Sequence, residues 1–133
     1  MNSLDTNVLI YAFDQNDARK HAVAAALLKK ALAAGWPIAS QVYGEFFNAT
    51  VRKRIATREV ARAVIQTWSA MMQPMASSNE AHLAALELAT KHQVQYWDAL
   101  IIATCAEHGV KQLYTEDGPG MAKPRGVRCT DPF

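Results

Sequence analysis

Four acidic residues lie far apart in the chain, and each stands beside residues of the kind that form a hydrophobic core. They are Asp5, Glu45, Asp98 and Asp117. Carboxylates are rarely placed among apolar residues unless they are paired or coordinate a cation. If folding brings these four together, their mutual repulsion requires a divalent cation. The sequence therefore predicts a metal site built from carboxylate oxygens.

The cations that suit such a site are Mg²⁺ and Mn²⁺, which prefer carboxylate and water oxygens. Hydrolysis of a phosphodiester needs an activated water and a counter-charge for the phosphorus centre and the leaving oxygen. Two metal ions about 3.5–4 Å apart can supply both. Three or four carboxylates are enough to hold one or two such ions. Thr6, Asn7 and Thr115 are candidates for the hydrogen bonds that fix the carboxylate rotamers.

Each acid also has a structural explanation. Asp5 suits a turn after a strand, and Asp98 suits the N-cap of a helix. Asp117 lies in Glu116–Pro119, a segment with good turn chemistry. Glu45 has the weakest alternative, because a lone glutamate in an apolar helix stripe needs a partner. The combination of all four favours the metal site.

Composition limits the class of protein. The chain has 133 residues, of which 50% are hydrophobic and 20% charged, with a net charge of +2. These values predict one globular domain and do not by themselves indicate a nucleic-acid binder. Cys105 and Cys129 are expected to be reduced thiols. The sequence contains no signal peptide or membrane-spanning segment, so a cytoplasmic location is predicted.

Short apolar runs alternate with helical patterns along the chain. Strands are predicted at 3–5, 36–40, 74–76, 110–114 and 126–129. Helices are predicted at 8–13, from 16 or 17 to 34, at 41–54, after a cap at Thr57, from a Ser-x-x-Glu capping box at 77–80 to about 92, and from 98 to a stop at Gly109.

This alternation predicts a parallel sheet with helices on both faces. Ligands of such sheets bind at the carboxyl ends of the strands. Asp5 and Asp117 follow predicted strands, whereas Glu45 and Asp98 lie in early turns of predicted helices. All four are therefore expected to converge on one edge of the sheet.

Four motifs, in order, resemble those of PIN-domain ribonucleases. Leu4–Tyr11 resembles the opening motif of that family, and Gln41–Asn48 resembles its second acidic motif. Trp97–Ala103 is similar to the third, and Leu113–Asp117 is similar to the fourth. The closing segment Gly126–Phe133 is similar to the tail of many bacterial members. The resemblance covers the whole chain.

The resemblance implies a single PIN domain over residues 1–133, with a three-layer α/β/α fold and a short, mostly parallel central sheet. It is most similar to VapC-type toxins, which implies an endoribonuclease that depends on Mg²⁺, or Mn²⁺, acts on an RNA substrate and is usually a homodimer. A VapB-type antitoxin is the implied partner. The implied metal-binding acids are Asp5, Glu45, Asp98 and Asp117.

The chain departs from the family pattern after the fourth motif. Many members carry a polar loop there, often with another acid, but this chain has Gly118–Pro124. Glu116 and Asp117 therefore remain alternatives for the fourth acid, and the register of the motif favours Asp117.

Three basic residues, Arg52, Lys53 and Arg54, follow the helix that carries Glu45. Cations at a helix C-terminus complement the helix dipole, which is the first explanation. The second is a contact with an RNA backbone. The resemblance adds a third, that an acidic tail of an antitoxin docks there.

Two other functions fit parts of the pattern. A catalytically silent PIN fold could bind RNA or a protein, although all four acids are present. A receiver-type signalling domain would need an adjacent acid pair after the first strand and a lysine after the last. Here Asp5 is followed by Thr6 and Asn7, and no lysine lies at that late strand end.

Overall fold

A computed structural model of the protein describes residues 1–120 and 123–133. The strands are β1 (Asn2–Leu4), β2 (Ile38–Ala39), β3 (Pro74–Met75), β4 (Gln112–Tyr114) and β5 (Arg128–Thr130). The helices are α1 (Thr6–Phe13), α2 (Ala18–Ala34), α3 (Ser40–Arg52), α4 (Arg58–Met71), α5 (Asn79–His92) and α6 (Tyr96–Glu107), with a 3₁₀ turn at Pro124–Gly126. This is the predicted three-layer α/β/α architecture.

All strand pairs in the described residues are parallel, as predicted. Strand β4 lies between β1 and β5, with Leu4 opposite Tyr114 and Tyr114 opposite Thr130. Strands β2 and β3 form a separate two-stranded pair. A hydrogen bond of 2.7 Å from the Ser3 hydroxyl to the Pro37 carbonyl links the two groups of strands. The central sheet is thus divided, whereas the sequence predicted a single one.

Helix α6 is the centre of the hydrophobic core. Every residue from Ala99 to Cys105 is buried, so this helix is covered on all sides. It packs against α5 and also contacts β2. Phe46 on α3 is fully buried as well, and its ring packs against Phe13 and Trp68. No helix in the two described ranges combines the length and the apolarity needed to cross a membrane.

Several helix ends follow directly from local sequence. Asp17 caps α2 by accepting a hydrogen bond from the Lys20 amide, and Gly35 ends that helix with a left-handed backbone (φ 66°). Thr57 caps α4 by accepting from the Val60 amide. The cap at Thr57 was predicted from the sequence, and Asp17 was one of its two candidates, with Asn16, for the cap of α2.

All five predicted strands are shorter or shifted in the structure, and two of them have a clear local reason. The strand predicted at 36–40 is reduced to Ile38–Ala39, because Ser40 already opens α3. The last strand is Arg128–Thr130 and not 126–129, since Gly126 (φ 82°) belongs to the preceding 3₁₀ turn. The predicted helix at 41–54 ends at Arg52, and Arg54 takes a left-handed conformation (φ 58°).

One predicted helix cap is wrong, and a cap that was the structural alternative for Asp98 is not observed. Gln95, and not Asp98, is the N-cap of α6: its side chain accepts from the Asp98 amide at 3.0 Å. Helix α6 therefore starts at Tyr96, and Asp98 lies within its first turn. Similarly, Ser78 rather than Ser77 caps α5, because the Ser77 hydroxyl is engaged with Thr104 instead.

Candidate active site

Asp5 stands one residue beyond the end of β1 and caps helix α1. Its amide donates to the Tyr114 carbonyl at 2.9 Å, which extends the pairing with β4. Its carboxylate is 7% exposed and accepts hydrogen bonds from the Thr6 amide at 2.7 Å and the Thr115 hydroxyl at 2.6 Å. Burial raises the pKa of Asp5, and these two hydrogen bonds oppose the rise. The site thus holds a buried carboxylate in one rotamer.

Glu45 projects from α3 towards Asp5. One carboxylate oxygen accepts from the Thr6 hydroxyl at 2.6 Å and the other from the Gln41 amide at 3.2 Å. The same Gln41 amide donates to the Trp97 carbonyl at 2.9 Å. Gln41 therefore ties Glu45 to the first turn of α6, next to Asp98. The neighbouring charge of Glu45 contributes to the raised pKa of Asp5.

Asp98 faces the other three acids from the first turn of α6. Burial raises its pKa to about 6, and the charges of Asp5, Asp117 and Glu45 add to the rise in that order. All four acids are therefore close enough to act on one another. The ionised forms of these carboxylates repel one another, and a divalent cation would relieve that repulsion.

The fourth acid was left open between two neighbours, and the structure separates them. Asp117 lines the same cleft as the other acids, accepts from the Asn7 amide at 3.3 Å, and donates its own backbone amide to the Thr115 hydroxyl at 3.1 Å. The Glu116 carboxylate instead forms an ion pair with Lys20 and accepts from the Tyr11 hydroxyl at 3.1 Å. The geometry favours Asp117.

The acids share one open cleft of about 410 Å³. Besides the four carboxylates, its lining consists of Thr6, Asn7, Ile10, Asn48, Ala49 and Arg52. Thr115 is not among the lining residues, but its hydroxyl donates a hydrogen bond to Asp5. Lys53 and Arg54 are exposed but are not among the lining residues, so only one of the three predicted basic residues faces the acids.

The donor set fits a hard divalent cation, because it consists of carboxylate oxygens beside amide and hydroxyl oxygens. Within residues 1–120 and 123–133, however, no three acidic, histidine or cysteine side chains are already grouped closely enough to hold an ion. Hydrogen bonds keep Asp5 and Glu45 in place, while Asp117 is exposed. A bound cation would have to draw the carboxylates closer together. Residues 121 and 122 of the loop after Asp117 lie outside the described residues.

Sequence reasoning missed three residues around the site. Gln41 lies four residues before Glu45, a helical spacing that could have identified it as a partner. Lys20 and Tyr11 meet Glu116 across about a hundred residues of sequence, and no local pattern indicates that contact.

The sequence profile of the PIN domain matches residues 3–119. No curated protein matches the chain. Among solved structures, the chain is similar to VapC20 of Mycobacterium tuberculosis, described as a toxin that cleaves the sarcin–ricin loop. The identity is 24%, the TM-score is 0.72, and the match covers 96% of this chain and 99% of that one.

A toxin–antitoxin complex from Klebsiella pneumoniae is similar at 20% identity and a TM-score of 0.71, covering 100% of this chain and 98% of that one. VapBC2 of Rickettsia felis, bound to a DNA fragment from its promoter, is similar at 15% identity and a TM-score of 0.69, covering 97% and 96%. These structures share the fold described above. The profile match spans most of the sequence, and the chain belongs to the PIN-domain family.

Proposed function

We propose that the protein is a metal-dependent endoribonuclease and the toxin of a VapBC-type toxin–antitoxin module. The observation that carries the proposal is the convergence of Asp5, Glu45, Asp98 and Asp117, from four distant segments, on one open cleft. The raised pKa of Asp98, caused by burial and by the other three acids, supports a site built for a cation. The PIN-domain match supports nuclease chemistry.

The metal would be Mg²⁺, or Mn²⁺ in its place, held by the four carboxylates. When bound, such an ion lowers the pKa of water and offsets the charge of a phosphodiester. The four acids are the only ionisable groups of negative charge among the residues that line the cleft. One ion or two would satisfy them.

The chain itself supplies orientation and a counter-charge. Thr115 and Thr6 fix the rotamers of Asp5 and Glu45 before any ligand arrives. Arg52 lines the cleft beside the acids, where its guanidinium is suited to two hydrogen bonds with a phosphate. The carboxylates and this arginine would hold an RNA backbone at the point of cleavage.

The proposed partners are an RNA substrate, a VapB-type antitoxin and a second copy of the chain in a homodimer. Support for the antitoxin comes from the similar structures, two of which are toxin–antitoxin assemblies. VapC20 is described as cleaving the sarcin–ricin loop, but the identity of 24% assigns no RNA to this chain. A cytoplasmic location remains a prediction from the sequence.

The test is cleavage of total cellular RNA by the purified protein with Mg²⁺ or Mn²⁺. We expect discrete fragments that disappear with EDTA and with Asp5→Asn. The matched control is Glu87→Gln, which makes an acid-to-amide change on the exposed face of α5 and should cleave as the wild type does. Cleavage that persists in Asp5→Asn would contradict the proposal.

The competing function is a silent PIN fold that binds RNA or a protein. If the folded wild-type protein binds Mn²⁺ but cleaves none of the cellular RNA, that alternative is favoured. Binding of Mn²⁺ with an affinity that Asp5→Asn leaves unchanged would place the metal outside the cleft.

A further inference from the structure

A cluster on the outer side of the fourth motif is not explained by the proposed chemistry. Lys20 on α2 forms an ion pair with Glu116 and also donates to the Tyr11 hydroxyl at 3.2 Å. Tyr11 on α1 donates its hydroxyl to the second Glu116 oxygen at 3.1 Å. Both oxygens of Glu116 are thus held by groups from two different helices. We call Lys20, Tyr11 and Glu116 the clamp.

The clamp is shielded from water more than an ordinary surface ion pair. The side chains of Lys20 and Glu116 are 22% and 28% exposed, whereas those of the Lys91–Glu87 pair on α5 are 66% and 55% exposed. The Lys20 ammonium lies 4.8 Å from the centre of the Tyr11 ring and 5.6 Å from that of Phe133. Partial burial reduces the screening of this pair by water, and the two rings attract the ammonium, so the pair is stronger than an exposed one.

The segment that the clamp grips carries Asp117. The Glu116 amide donates to the Asn7 side-chain oxygen at 3.3 Å, and the Asn7 amide donates to the Asp117 carboxylate at 3.3 Å. Glu116 and Asp117 lie in a bend just after β4, and there the Glu116 side chain meets Lys20 and Tyr11 while the Asp117 side chain lines the cleft. Within the described residues, Asp117 has two hydrogen bonds, of 3.3 Å at its carboxylate and 3.1 Å at its backbone amide, so the grip on Glu116 is the stronger restraint on this bend.

We propose that Lys20 and Tyr11 are positioning residues which, by gripping Glu116, hold Asp117 in the acidic cleft and so set the affinity of the site for a divalent cation. This inference rests on the proposed function, because it takes Asp117 to be a metal-binding acid. It also assigns Glu116 a role outside the cleft. Without the clamp, the exposed Asp117 carboxylate would spend less time beside the other three acids.

The test is Mn²⁺ binding to the whole chain, measured by titration calorimetry without RNA. Lys20→Met removes the ammonium but keeps most of the aliphatic stem. If Lys20 acted only by its charge, its loss would make the site more negative and tighten Mn²⁺ binding. The clamp predicts the opposite, a loss of affinity of about 10-fold, as is typical when a group that orients a metal ligand is removed.

The double variant Lys20→Met/Glu116→Gln has the same net charge as the wild type. We expect it to bind Mn²⁺ about 10-fold more weakly, whereas Lys20→Arg, which keeps the cation, should bind nearly as the wild type does. Lys91→Met/Glu87→Gln is the matched control, since it removes an exposed pair on α5 and should leave binding unchanged. Far-ultraviolet circular dichroism and the melting temperature report whether each variant folds.

A final comparison uses Asp117→Asn. The clamp acts only through Asp117, so adding Lys20→Met to that variant should cause no further loss of Mn²⁺ affinity. Tightened or unchanged binding by both Lys20→Met and the double variant would overturn the clamp while leaving the nuclease proposal intact. A wild type that binds no Mn²⁺, or binding that Asp117→Asn does not weaken, would instead overturn the proposed function together with the clamp.

Discussion

Asp5 and Asp98 face each other across the cleft, yet the protein treats their charges differently. Asp5 is 7% exposed and receives hydrogen bonds from Thr6 and Thr115 on its two oxygens. Asp98 is half-buried, and burial with the charges of the other acids raises its pKa to about 6. Burial, with the charges of Glu45 and Asp117, raises the pKa of Asp5 as well, so the two acids differ in that hydrogen-bond donors oppose the rise at Asp5.

The difference divides the cleft into two parts. Asp5, held by hydrogen bonds before any ligand arrives, is the fixed anchor. Both acids carry an electrostatic penalty that protons or a cation can remove, but among the described residues no hydrogen bond offsets the penalty at Asp98. Changes at the donors to Asp5 should therefore affect both the fold and the chemistry, changes at Asp5 itself should mainly affect the chemistry, and changes at Asp98 should mainly affect the dependence on pH and on metal.

The largest expected effect is that of Asp5→Asn on RNA cleavage. The amide keeps the shape of the side chain and loses the charge, and we expect cleavage to fall by at least about 100-fold, since even groups that only orient metal ligands change activity by 10–100-fold. The apo protein should not lose stability, because a buried charge is removed. Cleavage rates and urea unfolding measure the two effects. A large loss of stability would show that Asp5 serves the fold more than the chemistry.

Thr115→Val tests how much the hydrogen bonds on the fixed side contribute. Thr115 is 2% exposed and donates to Asp5, so its loss leaves a buried carboxylate without one donor. We expect the free energy of unfolding to fall by about 1–3 kcal/mol. The control is Thr67→Val, whose exposed hydroxyl bonds only its own helix and whose loss should change stability by less than about 0.5 kcal/mol. Equal losses of stability in the two variants would mean that the hydrogen bond from Thr115 to Asp5 does not stabilise the fold.

The sequence predictions were accurate where a feature depends on local interactions and less accurate where it depends on long-range ones. The caps at Asp17 and Thr57 were predicted because a cap bonds residues two or three positions away. The strands were less accurate, since strands of two or three residues depend on pairing with distant segments. The cap that was the structural alternative for Asp98 is not observed, because the side chain of Gln95 caps that helix.

The parts of the site that could be predicted were likewise those that depend on strand order and not on side-chain packing. Strands that run in parallel end at the same edge, so the convergence of Asp5 and Asp117 could be predicted from strand order alone. The Gln41 amide that links two acid-bearing helices could not, because it also bonds a carbonyl 56 residues away. The separation of Glu116 from Asp117 required the position of Lys20, which tertiary packing determines.

The α6 side can be tested by pH in the absence of metal. The folded-state pKa of Asp98, about 6, exceeds its ordinary value of 3.8, so the folded protein binds this proton more tightly than the unfolded chain. Its contribution to stability is therefore full below pH 3.8 and is lost as the pH rises through about 6. With EDTA, the melting temperature of the wild type should decline over that window, and Asp98→Asn should flatten the decline.

Addition of Mg²⁺ at pH 7.5 should raise the melting temperature of the wild type more than that of Asp98→Asn, since the variant has lost one of the four carboxylates that bind the ion and whose repulsion the ion relieves. A melting temperature that is independent of pH in the wild type, or equal stabilisation of both proteins by Mg²⁺, would mean that the charge of Asp98 carries no electrostatic penalty in the folded protein.

The smallest expected effect concerns the rim of the cleft, where Arg52 and Lys53 are neighbours with different positions. Arg52 lines the cleft and Lys53 does not. Binding of single-stranded RNA by the Asp5→Asn protein, measured at several salt concentrations, separates them. Arg52→Ala should weaken binding and reduce the salt slope by about 0.7, the value for one phosphate contact on a single strand, while Lys53→Ala should leave the slope unchanged. Equal slopes for the two variants would mean that the RNA backbone is held by the overall basic charge of this helix end. Arg52 would then make no specific phosphate contact in the cleft.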